Sequence, residues 1–237
     1  MQLLVSVRDV NEADAAIAGN ADIIDVKEPS RGSLGMASLE SIAAIVLRCR
    51  QQRQSPFCSA ALGELHEWIG NVELLQTQAQ GFAIPGLNFL KVGLSTARQI
   101  PDWKAKWLDF RRHFPGSVHW VAVAYADADR AGSPAIAEIL EAAAATGCRV
   151  LLLDTFVKDT TTLFNWVSPE QLLKLRQRCT VLGLRLALAG RLGLPHLPLL
   201  QEIAPDLLAV RGAVCDGTDR SKTVCQTMVQ SLRKAMP

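Results

Sequence analysis

Three short stretches of the chain put charged side chains where a hydrophobic core does not call for them. Ile23-Ile24-Asp25-Val26-Lys27-Glu28-Pro29 alternates, so Asp25 and Lys27 share one face of an extended segment and Ile24 and Val26 share the other. Asn88-Phe89-Leu90-Lys91-Val92-Gly93 sets Lys91 among apolar neighbours, and Leu151-Leu152-Leu153-Asp154-Thr155 ends in Asp154, with Lys158 and Asp159 just beyond. A lysine that is partly desolvated and close to another cation has a lowered pKa, and its neutral amine is the nucleophile that makes a Schiff base with a carbonyl carbon. The same residues would also serve as buried Lys–Asp ion pairs, which perturb pKa values without doing chemistry.

A second signal lies in Leu188-Ala189-Gly190-Arg191 and Val210-Arg211-Gly212-Ala213. Small residues let backbone N–H groups approach an anion, and Arg191 and Arg211 would add charge-assisted bonds to a phosphate. The glycines would equally serve plain turns. The stretch Ser30-Arg31-Gly32-Ser33-Leu34-Gly35, with Ser33 at its centre, has the composition of a lid or an anion-binding turn. Tyr125, Asp127, Asp129 and Arg130 follow an apolar run, where Asp127 or Arg130 would contact substrate or cap the next helix. His66, His113, His119 and His196 show no HxxxH or HExxH spacing, so no His-based metal site is expected. Ser6 and Ser59 lack a nucleophile-elbow context, and Cys215 reads as a bystander.

The elements that must position these residues alternate along the chain. Apolar runs at 3–7, 23–26, 57–61, 89–93, 119–124, 150–153, 185–189 and 207–210 read as strands, mostly continuous in hydrophobicity, as parallel strands buried on both faces are. Amphipathic segments at 11–18, 38–52, 97–113, 134–146 and 168–182 read as helices, with Asn11 and Ser38 as N-caps and Pro169 at a first helical position. Residues 63–88 carry Gly70, Gly81, Pro85 and Gly86 and read as a long loop beside a helix; a short helix is expected at 195–202. Eight such units in 237 residues, with no linker and no GxGxxG after the first strand, predict an α/β fold: a single (β/α)8 TIM barrel over 1–237. Catalytic groups of that fold sit at the C-terminal ends of its strands. Strands two, four and six would then bring Asp25, Lys27, Lys91 and Asp154 to one mouth.

Composition narrows the function classes. Hydrophobic residues are 49% and charged residues 20%, which excludes a disordered or fibrous chain. Twenty-five Lys and Arg against 23 Asp and Glu, without a basic tract, argue against nucleic-acid binding. No run approaches the roughly 18 apolar residues of a membrane span, and the N-terminus lacks the basic region of a signal peptide. Six well-separated cysteines read as reduced thiols of a cytoplasmic protein. Trp103 and Trp107 leave room for a homo-oligomer interface, or else pack into the core.

Taken in order, Leu4-Val5-Ser6, Ala21-Asp22-Ile23-Ile24-Asp25-Val26-Lys27-Glu28-Pro29, Gly32-Ser33-Leu34-Gly35, Leu90-Lys91-Val92-Gly93-Leu94, Tyr125-Ala126-Asp127, Leu153-Asp154-Thr155, Lys158-Asp159, Thr162-Leu163-Phe164, Leu188-Ala189-Gly190 and Val210-Arg211-Gly212-Ala213 span nearly the whole chain. With them the chain resembles the (5-formylfuran-3-yl)methyl phosphate synthase family of methanofuran biosynthesis, part of one-carbon metabolism. The resemblance implies a barrel lyase, of the carbon–oxygen class, that joins two molecules of glyceraldehyde 3-phosphate into a phosphorylated furan aldehyde. It implies Lys27 as the Schiff-base lysine and Lys91 as the proton-transferring one, with Asp25, Asp154 and Lys158 as the remaining charged catalytic positions. No metal or cofactor is expected, since an iminium is itself an electron sink. A Schiff-base aldolase acting on another phosphorylated carbonyl would use the same lysine and phosphate loops. A non-catalytic barrel that binds phosphometabolites would result if the lysines were inert.

Overall fold

Short runs such as Leu3-Leu4-Val5 and Leu151-Leu152-Leu153 are too brief for helices and too apolar for surface strands, so they must be covered on both sides. In the computed structural model, which describes residues 1–236 (the side chains of residues 72 and 74 excepted), they are. Pro237, the last residue of the expected domain, lies outside the described residues. Strands β1 (Gln2–Val7), β2 (Ile23–Val26), β3 (Phe57–Glu64), β4 (Leu87–Gly93), β5 (His119–Tyr125), β6 (Val150–Asp154), β7 (Arg185–Leu188) and β8 (Leu207–Val210) run parallel and close into a barrel in sequence order. Around it lie α1 (Val10–Ala18), α2 (Leu39–Arg50), α3 (Leu65–Trp68), α4 (Val72–Gln80), α5 (Trp103–Arg112), α6 (Ala128–Ala131), α7 (Ile136–Ala145), α8 (Pro169–Val181), α9 (Leu197–Ile203) and α10 (Gln226–Ala235). The expected (β/α)8 barrel is the observed one.

The core has two parts. Residues such as Leu3, Val5, Ile24, Leu90, Leu151 and Leu188 face the helices, while Leu4, Ile23, Val121, Val150, Leu152 and Leu207 fill the barrel interior. Interior positions follow the period of two, so the inward residues of β2 are Ile23, Asp25 and, one step past its end, Lys27. The charges of the even strands thus sit on the inward face, above an apolar floor.

Three local features depart from the expected elements. The segment expected as one helix at 97–113 is a 3-10 turn (Ala97–Gln99) followed by α5, because Pro101 lacks an N–H and disfavours helical geometry in the residue before it. The N-cap of α1 is Asp9, whose carboxylate accepts from Glu12 N at 2.9 Å, and Asn11 lies inside the first turn. Ser38 and Ser168 cap α2 and α8 as expected. The 63–88 stretch holds two short helices, α3 and α4. Trp107 is fully buried, with the Arg111 guanidinium 5.0 Å from its ring centroid, so this residue packs in the core and forms no part of an exposed interface.

Candidate active site

Register explains how β2 delivers a carboxylate to its neighbours. Asp25 stands level with Ser6 of β1 on one side and Ser59 of β3 on the other. Both hydroxyls donate to it, Ser6 Oγ to Oδ2 at 2.9 Å and Ser59 Oγ to Oδ1 at 2.5 Å. From β4, Lys91 reaches past β3 and its Nζ donates to Asp25 Oδ1 at 2.6 Å. Both partners are almost fully buried, Asp25 1% and Lys91 3% exposed. Burial alone would raise the Asp25 pKa; the charges of Lys91 and Lys27 and the bonds from Lys91 and Ser59 outweigh it and hold the carboxyl below its usual range.

A second pair forms across the end of β6. Asp154 Oδ1 accepts from Lys158 Nζ at 2.7 Å and from Thr155 N at 2.8 Å, and Lys158 Nζ also donates to Thr155 O. Its pKa is lowered in the same way, the push of burial being outweighed by the charges of Lys158 and Lys27. Ser33 joins the two halves. Its Oγ lies 3.3 Å from Asp154 Oδ2 and from Thr155 O, and its carbonyl accepts from Lys27 Nζ at 3.3 Å.

Three lysines therefore meet two aspartates, and Lys27 is the one left over. It is 8% exposed, takes part in no ion pair among the described residues, and is held by one long bond to a neutral carbonyl. Burial lowers its pKa most, the charges of Asp154 and Asp25 pull it back, and those of Lys158 and Lys91 lower it again; the outcome is about 7. An amine of that pKa is substantially neutral at neutral pH and able to attack a carbonyl.

The structure thus brings together Asp25, Lys27, Lys91, Asp154, Lys158 and Ser33. The expected phosphate residues divide. Gly190, at φ +96°, and the turn Gly212–Val214, which includes Ala213, follow β7 and β8 at the same end of the barrel. Arg211 does not present a free guanidinium there. All five of its N–H donors are engaged: Nε with Arg220 O, Nη1 with Ser6 O and Glu12 Oε2, and Nη2 with Glu12 Oε1 and Lys222 O. It locks β8 to β1 and α1, a correction to its expected role as a phosphate ligand. Arg191 is exposed and donates to Asp159 O at 2.8 Å. Asp127 stands at the N-cap of α6 without a side-chain cap bond, because its carboxylate accepts instead from Phe156 N and Val157 N at 2.6 and 3.0 Å.

Sequence reasoning missed Arg220, Glu64 and the service of Ser6 and Ser59. Arg220 packs against Gly212 and reaches over to Gly32 O at 3.1 Å, beside Ser33; burial lowers its pKa and the charge of Asp154 raises it. Glu64 closes β3 as a buried carboxyl hydrogen-bonded to Tyr125. The period of two, carried from Leu4 to Ser6 and applied to 57–61, was the available signal for the two serines. Among the described residues no group of three or more His, Cys, Asp or Glu could hold a metal ion, and no helix is long and apolar enough to cross a membrane.

Residues 3–233 match the family model described as 4-HFC-P synthase. The chain is 37% identical over 241 residues to a protein of Methanocaldococcus jannaschii named (5-formylfuran-3-yl)methyl phosphate synthase, covering 99% of each. It is 38% identical to a protein of the same name from Methanococcus maripaludis, covering 94% of this chain and 93% of that one. Among solved structures, phosphoribosyl anthranilate isomerase from Thermotoga maritima superposes with a TM-score of 0.64 at 13% identity, covering 99% of this chain and 98% of that one, a likeness of fold.

Proposed function

The chain belongs to the (5-formylfuran-3-yl)methyl phosphate synthase family, and from that premise we propose that it condenses two molecules of glyceraldehyde 3-phosphate into the furan phosphate through an imine on Lys27, in methanofuran biosynthesis. The observation that carries the reading is the position of Lys27: buried, unpaired, and lowered to a pKa of about 7. Two C3 phosphates become a C6 furan with one phosphate, so one phosphate and two waters must leave. That demands carbon–carbon bond formation, elimination and a cyclising dehydration.

In this reading Lys27 condenses with the aldehyde of one triose, and the resulting iminium acidifies the neighbouring C–H. Lys91 moves protons to and from the bound carbon skeleton, with Asp25 compensating its charge as it gives up and regains its proton. Asp154 holds Lys158 at the mouth, where its ammonium neutralises the departing phosphate. The backbone N–H groups near Gly190, Gly212 and Ala213, with Arg220 beside them, take the phosphate that stays.

The test is incubation of the purified protein with glyceraldehyde 3-phosphate, following ultraviolet absorbance and phosphate release, with borohydride added in a parallel sample. A growing furan chromophore with equimolar phosphate and a reduced adduct on the Lys27 peptide is the expected result. An adduct without a chromophore would instead indicate a Schiff-base aldolase acting on another partner substrate. Neither signal would leave a barrel that binds triose phosphates without turning them over.

A further inference from the structure

Glu64 has no role in the scheme above, yet the fold goes to some length to bring it to the mouth. Along β3 the inward residues are Ser59 and Ala61, and uninterrupted alternation would put Gly63 next. The register against β4 shifts there: Ala61 pairs with Lys91, but Glu64 pairs with Gly93, three residues of β3 against two of β4. The extra residue is taken up at Gly63, at φ +75°, a backbone conformation that glycine adopts without strain. This bulge turns Glu64 inward in place of Gly63. Gly93 is the inward residue of β4 two positions past Lys91, roughly 7 Å further along the strand, and a Cβ there would collide with the Glu64 carboxyl. Glu64 therefore lies over the inward face of β4, one layer above Lys91.

Its partners set it apart from the other carboxyls of the site. Tyr125 Oη donates to Oε1 at 2.5 Å and Ser95 N donates to Oε2 at 2.8 Å. No lysine or arginine forms an ion pair with it among the described residues, whereas Asp25 and Asp154 each have a lysine. Tyr125 stands level with Asp154 on the next strand and packs edge-on against Phe156, so the Glu64–Tyr125 pair bridges β3 to β5 across the mouth. Burial raises the pKa of Glu64 more than the bonds from Tyr125 and Ser95 lower it, the opposite direction to Asp25 and Asp154. The ionised aspartates have no proton to give.

We propose that Glu64 is the general acid of the water-losing steps, with the Tyr125 hydroxyl stabilising the carboxylate that proton donation leaves; the assignment rests on the furan-forming reading of the site. In each dehydration the electrons of a C–H bond, released towards the Lys27 iminium, return to form the C=C bond. The adjacent C–O bond breaks, its pair leaves on oxygen, and Glu64 gives that oxygen its proton, so water departs. The carboxylate then takes up the proton released from carbon, and Glu64 ends each cycle as it began.

Glu64→Gln separates acid chemistry from architecture. The glutamine carbonyl still accepts from Ser95 N and its amide donates to the Tyr125 oxygen, but it has no acidic proton. The expected result is a folded protein with wild-type melting temperature, a Lys27 adduct yield within about twofold, an unchanged KM, and furan formation slowed by about 100-fold or more. Tyr125→Phe should slow the same step by about tenfold, and Glu64→Asp should recover part of the loss. Furan formation within about threefold of wild type in Glu64→Gln, or loss of the Lys27 adduct along with turnover, would overturn the assignment. If Glu64→Gln fails to fold, Tyr125→Phe decides alone, wild-type turnover in that variant counting against the proposal. Wild-type protein assayed in parallel keeps the readings distinct: no furan from it overturns the furan-forming reading and this assignment with it, whereas furan from wild type and variant alike overturns only the role of Glu64.

Discussion

Two buried ionic clusters lie on adjoining strands of this barrel, and they are built to opposite standards. At β8, β1 and α1, Arg211 and Glu12 are each shielded from water, every Arg211 N–H has an acceptor, and Arg8 adds bonds to Glu12 through Nε and Nη2 at 3.0 and 2.7 Å. At β2, β4 and β6, three lysines share two aspartates, and Lys27 is left with a single carbonyl at 3.3 Å. Depth of burial does not separate the two clusters; completeness of pairing does. The fully bonded arginine cluster has every donor committed to holding β8, β1 and α1 together. An unsatisfied buried charge has a pKa that moves into the working range, and chemistry becomes available to it.

The most demanding test of that difference is Lys27→Met, a swap of similar length without the amine. Turnover should fall by about 10⁴-fold or more, and the borohydride adduct should vanish, because the nucleophile itself is gone. An adduct that persisted on Lys91 or Lys158 would mean that a lysine paired with an aspartate can serve as the nucleophile too.

The complementary change is Glu12→Gln. It leaves the Arg211 guanidinium buried with a neutral partner and should lower unfolding stability by about 3–5 kcal/mol in urea titrations. Adduct yield per folded molecule should stay unchanged. A stable Glu12→Gln protein with impaired adduct formation would mean that the Arg211 cluster serves the chemistry after all.

The same logic gives Lys27→Met an effect on stability. Lys27 has a folded-state pKa of about 7 against an ordinary 10.5, so between these values the unfolded chain binds a proton that the folded one does not. Wild-type stability therefore rises with pH across that window, and the penalty for burying the charge is full below pH 7 and gone above 10.5. Lys27→Met has no such penalty and should be the more stable protein by up to about 5 kcal/mol at pH 6, the gap narrowing steadily towards pH 10. Adduct formation by the wild type should rise through pH 7 and then level off. A rise that continued to pH 10 would mean an ordinary lysine.

The first cluster was opaque in the sequence and the second was legible, for one reason. Asp25, Lys27, Lys91 and Asp154 each sit within two steps of a strand end, and the period of two fixes which face they occupy. Arg211 also sits at a strand end, so sequence reasoning placed it at the phosphate. Its partners, Ser6 O, Glu12, Arg220 O and Lys222 O, come from both ends of the chain, and no local pattern announces them. Glu64 was hidden by the opposite failure: a single bulge at Gly63 reverses the alternation that made the even strands readable. Likewise, α5 was legible as amphipathic, but the placing of its Arg111 over Trp120 of β5 is made only by the fold.

The smallest effect is expected at Ser33. Ser33 touches both Lys27 and Asp154, yet it holds Lys27 through its backbone carbonyl, and its hydroxyl makes only two long contacts of 3.3 Å. Asp154 keeps Lys158 and Thr155 N at 2.7 and 2.8 Å without it. Ser33→Ala should therefore cost about 1 kcal/mol or less of stability and leave the Lys27 adduct within about threefold of wild type. Ser59→Ala, which removes the 2.5 Å bond to Asp25, should weigh more on the fold than Ser33→Ala. A loss from Ser33→Ala as large as that from Glu12→Gln would mean that the lysine cluster is interlocked as tightly as the arginine one, and that incomplete pairing is not what frees Lys27.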